Sequence, residues 1–588
     1  MMASLSAVKT GARVTLLERE ARLGGQLIKQ THKFFGSYKE YAGVRGIEIA
    51  NRLTSLLQEQ EEKGKIRLLT EAELVLFYRE QTLGYTYKGI LRTLKAQKII
   101  FTTGASERML PFPGNDLPGV YAAGAIQTLM NVNGVLPGER YLMVGAGNIG
   151  LIVGYQLLQA GAQVLGVVEA MPHIGGYLVH ASKIRRMGVP IYTSHTILEA
   201  RGKDRVEEAV ITVVDNKYKP IPGTEKILKV DVVSLAVGLN PLGELLEQRG
   251  IKFSYIPGLG GFVPWHDENL KTSHPDVYVA GDLAGIEEAT TAMLQGELVG
   301  LVVAKELGYG NLEEQNKINL ISQRLKEFRA GPKSEKTREG QLKLINGPVC
   351  VPDCLTASIL LSASQQRQAG AQAGEHPPVC VATATGRQRL SAGRQRLSAG
   401  YLSAVQTGQA GAQADNQNRK ISLQLKKFGV PTKTDLKPFL PSIKRKRKGA
   451  YALIECFEEI PCDPCFSACP FKAVKEFENL NDLPVIDFKK CTGCGLCVPE
   501  CPGLAIFLIN ENRDDGKATI VIPYEFLPLP EKGELVRALN RKGEIEGEAE
   551  VVEVKTFPRK SNTTVITLLI LREQVLTTRH FRRKDQYE

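Results

Sequence analysis

Eight of the chain's 11 cysteines fall between Cys456 and Cys501, and their spacing is the strongest chemical signal in its 588 residues. Residues 491–502 read CTGCGLCVPECP, which is C-x2-C-x2-C-x3-C-P. Three thiolates so close on a tight loop can reach the corners of one [4Fe–4S] cubane, while the fourth, on the helix that follows, reaches a second. Gly493 and Gly495 let the backbone wrap closely around the sulfurs. Upstream, CFEEIPCDPCFSACP supplies Cys456, Cys462, Cys465 and Cys469-Pro470, with a first gap of five residues instead of two and the rest of the spacing kept. Structural zinc also takes C-x2-C pairs, but two triplets each followed by x3-C-P point to iron and sulfur. Tight groups of cysteine in a chain without a secretory signal argue for metal over disulfides.

A second constellation is YLMVGAGNIGLIVGYQLLQAGAQVLGVVE, a strand running into Gly145-x-Gly147-x-x-Gly150, then a helix, a second strand and Glu169. The first glycine makes the turn, the second admits a pyrophosphate and the third lets helix and strand pack closely, with the helix N-terminus facing the phosphate charge. Glu169 stands where an adenosine ribose would be held, and a carboxylate there disfavours a 2′-phosphate, so NAD(H) is preferred to NADP(H). A glycine-rich turn without function is the bland alternative. The full strand–turn–helix–strand–acid frame speaks against it.

The cysteine module resembles two-cluster bacterial ferredoxins over about 55 residues. That resemblance implies crossed ligation, with Cys456, Cys462, Cys465 and Cys501 on one cluster and Cys491, Cys494, Cys497 and Cys469 on the other. At the other end, GARVTLLEREARLGGQL resembles the second strand of an FAD-binding unit, with Glu18 as the ribose acid and Gly24-Gly25 after it. Thr102-Thr103-Gly104-Ala105 looks like the motif closing the first FAD segment, and Ala280-Gly281-Asp282 like the strand end whose acid contacts the ribityl–phosphate region. In order and spacing, residues 1–306 resemble the pyridine nucleotide-disulfide oxidoreductase superfamily, in which an NAD domain is inserted into an FAD domain. The chain as given opens inside the helix of the FAD unit, so that unit's first strand and glycine loop are expected before it. No cysteine precedes Cys350, which sets the chain apart from enzymes with a redox-active disulfide beside the flavin, such as thioredoxin reductase.

These motifs need elements to position them. VTLLE (14–18), AQKIIFTTGA (96–105), YLMVGAG (141–147), VLGVVE (164–169), DVVSLAVG (231–238) and DVYVAGD (276–282) are short, apolar and β-branched, with longer helical stretches between. This pattern is α/β with parallel sheet buried on both faces. The expected architecture is two Rossmann-like dinucleotide-binding domains, an α+β ferredoxin-like domain and a small β-rich C-terminal domain. The expected divisions are an FAD-binding part at 1–115, an NAD-binding domain at 116–245, the second FAD-binding part at 246–306 and a helical linker at 307–345. They continue with a low-complexity, disordered insertion at 346–420, a basic linker at 421–448, the ferredoxin-like domain at 449–510 and the β-rich domain at 511–588. The insertion carries the tandem GRQRLSA repeat (386–399) and too little apolar surface to offset chain entropy. Cys350 and Cys354, at its edge, and Cys380, inside it, are read as incidental; His173 and His180 as packing or surface residues.

Composition narrows the function further. A hydrophobic fraction of 43% with 23% charged residues is that of an ordinary globular protein. No long uncharged apolar run predicts a membrane span, and a cytoplasmic protein is the plain expectation. The formal charge of +12 has no nucleic-acid motif around it except the run Lys444–Lys448. Such a run in a linker is read as solvated charge, with a docking patch for an acidic redox partner as the alternative. A nicotinamide moves two electrons as hydride, a [4Fe–4S] cluster moves one, and a flavin splits the pair. The expected function is an oxidoreductase relaying electrons between NAD(H), FAD and two clusters, to or from a partner protein. Two alternatives stay open: membership of an amine- or amino-acid-type dehydrogenase complex with a companion subunit, and a flavin-free iron–sulfur carrier without catalysis. No residue is assigned as a catalytic acid or base.

Overall fold

The computed structural model describes residues 1–78, 82–347, 421–557 and 563–584. The expectations for 346–420, with Cys350, Cys354 and Cys380, fall almost wholly outside them. Apolar runs without polar alternation form a five-stranded parallel sheet in the order Ile191–Thr193, Gln163–Glu169, Arg140–Val144, Val232–Leu235, Val120–Ala122. Its central strand buries Tyr141, Leu142, Met143 and Val144 consecutively, which requires cover on both faces. The helix Asn148–Gln159 covers one face. A three-stranded antiparallel sheet, His195–Arg201, Glu208–Val213 and Lys226–Lys229, packs Ile197, Ala209 and Ile211 against residues of the parallel sheet.

The FAD-side half repeats this plan in pieces. Val14–Leu17 pairs in parallel with Ile66–Leu69, and Ile99–Phe101 pairs in parallel with Val277–Val279, as two separate two-stranded sheets. The first pair matches Gln163–Glu169 with Ile191–Thr193, each leading strand running into its acid, Glu18 or Glu169. The second matches Val232–Leu235 with Val120–Ala122, each leading strand running on to a positive-φ glycine, Gly104 (φ 76°) or Gly238 (φ 119°). Among the described residues no strand occupies the place that Arg140–Val144 holds in the complete sheet. Val14–Leu17 is accordingly only half-buried along its length. Just beyond these glycines the two halves join, through the antiparallel pair Ala105–Glu107 and Leu239–Pro241.

The helix Met2–Thr10 lies against Ala289–Glu306, where glycine is needed: a Cβ at Gly300 would come within 2.3 Å of the Ala3 carbonyl oxygen. Beyond residue 421, short helices at Leu423–Phe428, Lys433–Leu436 and Ile443–Lys446 bury Leu425, Leu436 and the neighbouring Phe439, so the basic segment is ordered structure. The cysteine module and the tail share one seven-stranded antiparallel sheet. Its order is Tyr451–Ile454, Ile506–Asn510, Lys517–Tyr524, Thr564–Leu571, Ile545–Lys555, Leu535–Leu539, His580–Arg582. The two strands nearest one edge come from either side of the cysteines, so the chain between Cys456 and Cys501 leaves and re-enters the same sheet edge. Residues before 348 and after 421 form one compact unit. Among the described residues no helix is long and apolar enough to cross a membrane.

Candidate functional site

Charge coupling sorts the cysteines into two neighbouring sets. Burial pushes the thiols of Cys456, Cys462 and Cys465 up, and the sulfurs that add to this for Cys456 and Cys462 come from the set Cys456, Cys462, Cys465 and Cys501. Cys497 is pushed up to about 12, first by burial and then by Cys491, Cys494 and Cys469. Cys465 also senses Cys497, so the sets are neighbours. Among the described residues no three His, Cys, Asp or Glu side chains already stand as a metal site, so crossed ligation with Cys456 on the inner cluster stays what the ferredoxin resemblance implies. Each set receives a backbone donor at its C-P cysteine: Ala473 N–H to Cys469 Sγ at 3.2 Å and Ala505 N–H to Cys501 Sγ at 3.4 Å. Gly493 (φ 75°) makes the tight approach, since a Cβ there would lie 2.4 Å from the Ala450 carbonyl oxygen. Thiols raised in this way stay protonated until metal displaces the proton, so cluster assembly would release protons.

The two sets differ in surroundings. Cys494 is solvent-exposed. The set containing Cys501 lies inside, against the nucleotide domain: Cys456, Cys462 and Cys501, together with Phe35 of the FAD-side loop, pack on a buried cluster that includes Tyr177 and Val179. Gly36 pairs with Cys462, and Asp463 N–H donates to the Gly36 carbonyl at 3.2 Å. Lys33 Nζ donates to the Pro499 carbonyl at 2.5 Å and Arg186 to the Leu504 carbonyl at 3.0 Å, clasping the backbone on both sides of Cys501. Lys33, Arg45, Lys183, Arg186, Arg541 and Arg579 form a buried or nearly buried chain of cations. Facing them are the carboxylates Glu455, Glu525 and Glu500. Six cations against three carboxylates call for a further buried anion, and four thiolates holding a cluster supply one.

The glycine turn has the geometry of a dinucleotide site. A Cβ at Gly145 would sit 2.3 Å from the Ala236 carbonyl oxygen, and one at Gly150 would sit 1.9 Å from that of Gly145, whereas Gly147 faces open space. The helix Asn148–Gln159 begins directly after it. Both Glu169 oxygens accept backbone N–H groups, from Ala146 and Met171, each at 2.9 Å, which fixes the carboxylate beside the turn. Sequence reading missed Gly175-Gly176, which fold over this turn: Gly176 N–H donates to the Ala146 carbonyl at 2.8 Å and Tyr177 N–H to Asn148 Oδ1 at 2.7 Å. The signal was there, because Gly175 follows Glu169 at the same offset by which Gly24 follows Glu18.

On the FAD side Glu18 accepts from Glu20 N–H at 3.0 Å. Gly24 (φ 128°) is crowded by Ile28, whereas Gly25 and Gly104 face open space of the kind a bound group can use. Gly281 (φ 71°) donates to Gln295 Oε1 at 2.7 Å, and burial raises Asp282 to about 6. Gly104 and Asp282 follow adjacent parallel strands, while Glu18 follows a strand of the other pair. His180 is packed between Phe35 and Tyr177, and burial beside Lys183 lowers its pKa well below the usual range.

A dinucleotide-binding α/β scaffold closed against an eight-cysteine module defines a nucleotide-dependent redox protein. Residues 1–296 match the pyridine nucleotide-disulphide oxidoreductase model and residues 484–507 the 4Fe-4S binding domain. The chain belongs to the pyridine nucleotide-disulphide oxidoreductase family, with FAD- and NAD(P)-type binding regions joined to an iron–sulfur domain. It is similar to an opine oxidase subunit of Agrobacterium tumefaciens, 25% identical over 52% of this chain and 63% of that one. It is also similar to hydrogen cyanide synthase subunit HcnB of Pseudomonas protegens, 24% identical over 52% of this chain and 68% of that one. The chain thus spans less than two thirds of the opine oxidase subunit's length. Among solved structures, T. acidophilum thioredoxin reductase aligns over 52% of this chain and 94% of its own, at 20% identity and a TM-score of 0.42.

Proposed function

We propose that this chain relays electrons between NAD(H), FAD and two [4Fe–4S] clusters, and exchanges them with a companion redox protein. The observation that carries the reading is the position of the inner cysteine set, wedged between the FAD-side loop at Phe35–Gly36 and the nucleotide domain at Tyr177–Val179. When bound, a flavin would supply the step between two-electron and one-electron carriers. The protein's part is placement. Gly147 and the helix after it receive the pyrophosphate, Glu169 holds the adenosine ribose, and Gly25, Gly104 and Asp282 border the flavin nucleotide. Cys456, Cys462, Cys465 and Cys501 would hold the inner cluster, and Cys469, Cys491, Cys494 and Cys497 the outer. Contacts such as Tyr38 N–H to Asp463 Oδ1 (2.8 Å) and Lys333 to Glu458 (3.1 Å) lock the cysteine module onto the nucleotide-binding part. Iron and flavin assayed on anaerobically purified chain, with NADH-dependent dye reduction, test the reading: about eight irons, about one flavin and dye reduction are expected. About eight irons without flavin or dye reduction would make it a flavin-free carrier.

A second reading is favoured by relatives named as subunits of opine oxidase and sarcosine oxidase. In it a companion subunit oxidises an amine- or amino-acid-type donor, and this chain receives the electrons. Dye reduction by the complex isolated from its native source, with opines or sarcosine as donor and no NADH, tests this version.

A further inference from the structure

The basic run at 444–448 is built onto the rim of the outer cysteine set. Its helix, Ile443–Lys446, is capped by the Ser442 side chain, and two of its cations turn inward. Arg445 donates to four carbonyl oxygens: Phe488 at 3.0 Å, Gly449 at 3.1 Å, Ala450 at 2.7 Å and Cys491 at 2.6 Å. Lys446 reaches Glu511 at 2.9 Å. The other three, Lys444, Arg447 and Lys448, are left exposed beside the loop that carries Cys491 and Cys494. Within three positions of Cys469, Cys491, Cys494 and Cys497, every exposed charged residue is a lysine: Lys472, Lys489 and Lys490. Ile443 and Phe471, on the same segments, are exposed apolar side chains.

We propose that this face docks a redox partner with an acidic surface, which meets the outer cluster at Cys494. The proposal rests on the relay reading and names the charge of the partner it requires. A merely solvated run has no need of a capped helix whose arginine satisfies two carbonyls of the cysteine loop, those of Phe488 and Cys491, as well as two of its own segment. The six exposed cations on the segments that flank the outer cysteines repel each other, and an anionic partner offsets that cost. Electron-transfer complexes are small and transient, so charge complementarity acts mainly on the rate of encounter. One electron passes per encounter, and no proton need accompany it.

The test uses full chain reconstituted with iron and sulfide, reduced by dithionite and freed of excess reductant. It is mixed in a stopped-flow instrument with basic cytochrome c or with fully succinylated, acidic cytochrome c, either of which takes one electron at its ferric haem. The acidic form is expected to be reduced at least tenfold faster at low salt, and the advantage should collapse when salt screens it. The triple variant K444E/R447E/K448E, which sets three carboxylates against Lys472, Lys489 and Lys490, should abolish the preference with iron content unchanged. Equal rates for the two cytochromes, or a preference insensitive to salt, would overturn the proposal. So would tight binding of a labelled DNA duplex that the triple variant loses, since the collar would then serve nucleic acid. Iron far below eight per chain would instead sink the two-cluster reading on which the proposal stands.

Discussion

Lys33 illustrates what one residue does here. Its ammonium is buried, hydrogen-bonded to the Pro499 carbonyl, 3.9 Å from Glu525 and close enough to Cys501 for their charges to interact. A cluster gains negative charge on reduction, so a nearby buried cation stabilises the reduced form and raises the potential. Lys33→Met keeps the bulk and removes the charge, while Arg45 still pairs with Glu525 at 2.9 Å. The expected result is a midpoint of the inner cluster lowered by tens of millivolts, where about 59 mV corresponds to a tenfold change in the one-electron equilibrium. The outer cluster should hold its value, and a potential titration followed by EPR reads both. Cys456 gives a second residue-scale prediction: Cys456→Ala should cost the inner cluster, taking iron from about eight to about four per chain while the outer EPR signal persists. The cysteines and glycines were legible in sequence because metal geometry and pyrophosphate approach dictate residue type at fixed spacing. The cation chain was not: Lys33, Lys183, Arg186 and Arg579 lie far apart in sequence, and only the fold brings them together.

Between elements, a charged joint forms at Glu455, the residue between the strand Tyr451–Ile454 and Cys456. It is buried and accepts from Arg541 at 2.5 Å and Arg579 at 2.7 Å, from the far part of the seven-stranded sheet. Burial opposes its ionisation, but the two guanidiniums prevail and hold it at about 2. A folded pKa below the unfolded value of about 4.3 stabilises the fold above that value, and the contribution is lost as pH falls towards 2. Removing one partner of a buried pair typically costs about 3–5 kcal/mol. Glu455→Gln should therefore lower the melting temperature strongly at pH 7, by a margin that narrows below about pH 4, as differential scanning calorimetry would show. The sequence marked 449–510 and 511–588 apart because the cysteine spacing ends abruptly. Strand pairing is non-local and leaves no such mark, so the single sheet running across residue 510 was invisible. The same holds for Ile443–Lys446, where composition indicated a linker and the structure places a clamped helix.

At the scale of the molecule, the nucleotide turn, the inner cysteines and the outer cysteines stand in sequence from the family domain to the basic rim. The inner set touches the nucleotide-binding part through Phe35, Gly36 and Tyr177, and the outer set reaches solvent through Cys494. Under the proposed relay, such an order would make the outer cluster the exchange point with a partner and the inner one the bridge to the flavin. The variant Cys491→Ala with Cys494→Ala should separate the two roles. NADH-dependent bleaching of the flavin and the inner cluster's EPR signal should persist, because the contacts at Phe35, Lys33 and Arg186 are untouched. Electron transfer to cytochrome c should fall at least tenfold, since the inner set lies behind protein and transfer weakens steeply with distance. A variant that still reduced cytochrome c at the full rate would show that electrons leave by another face. The basic rim at Lys444, Arg447 and Lys448 would then have to be explained without them.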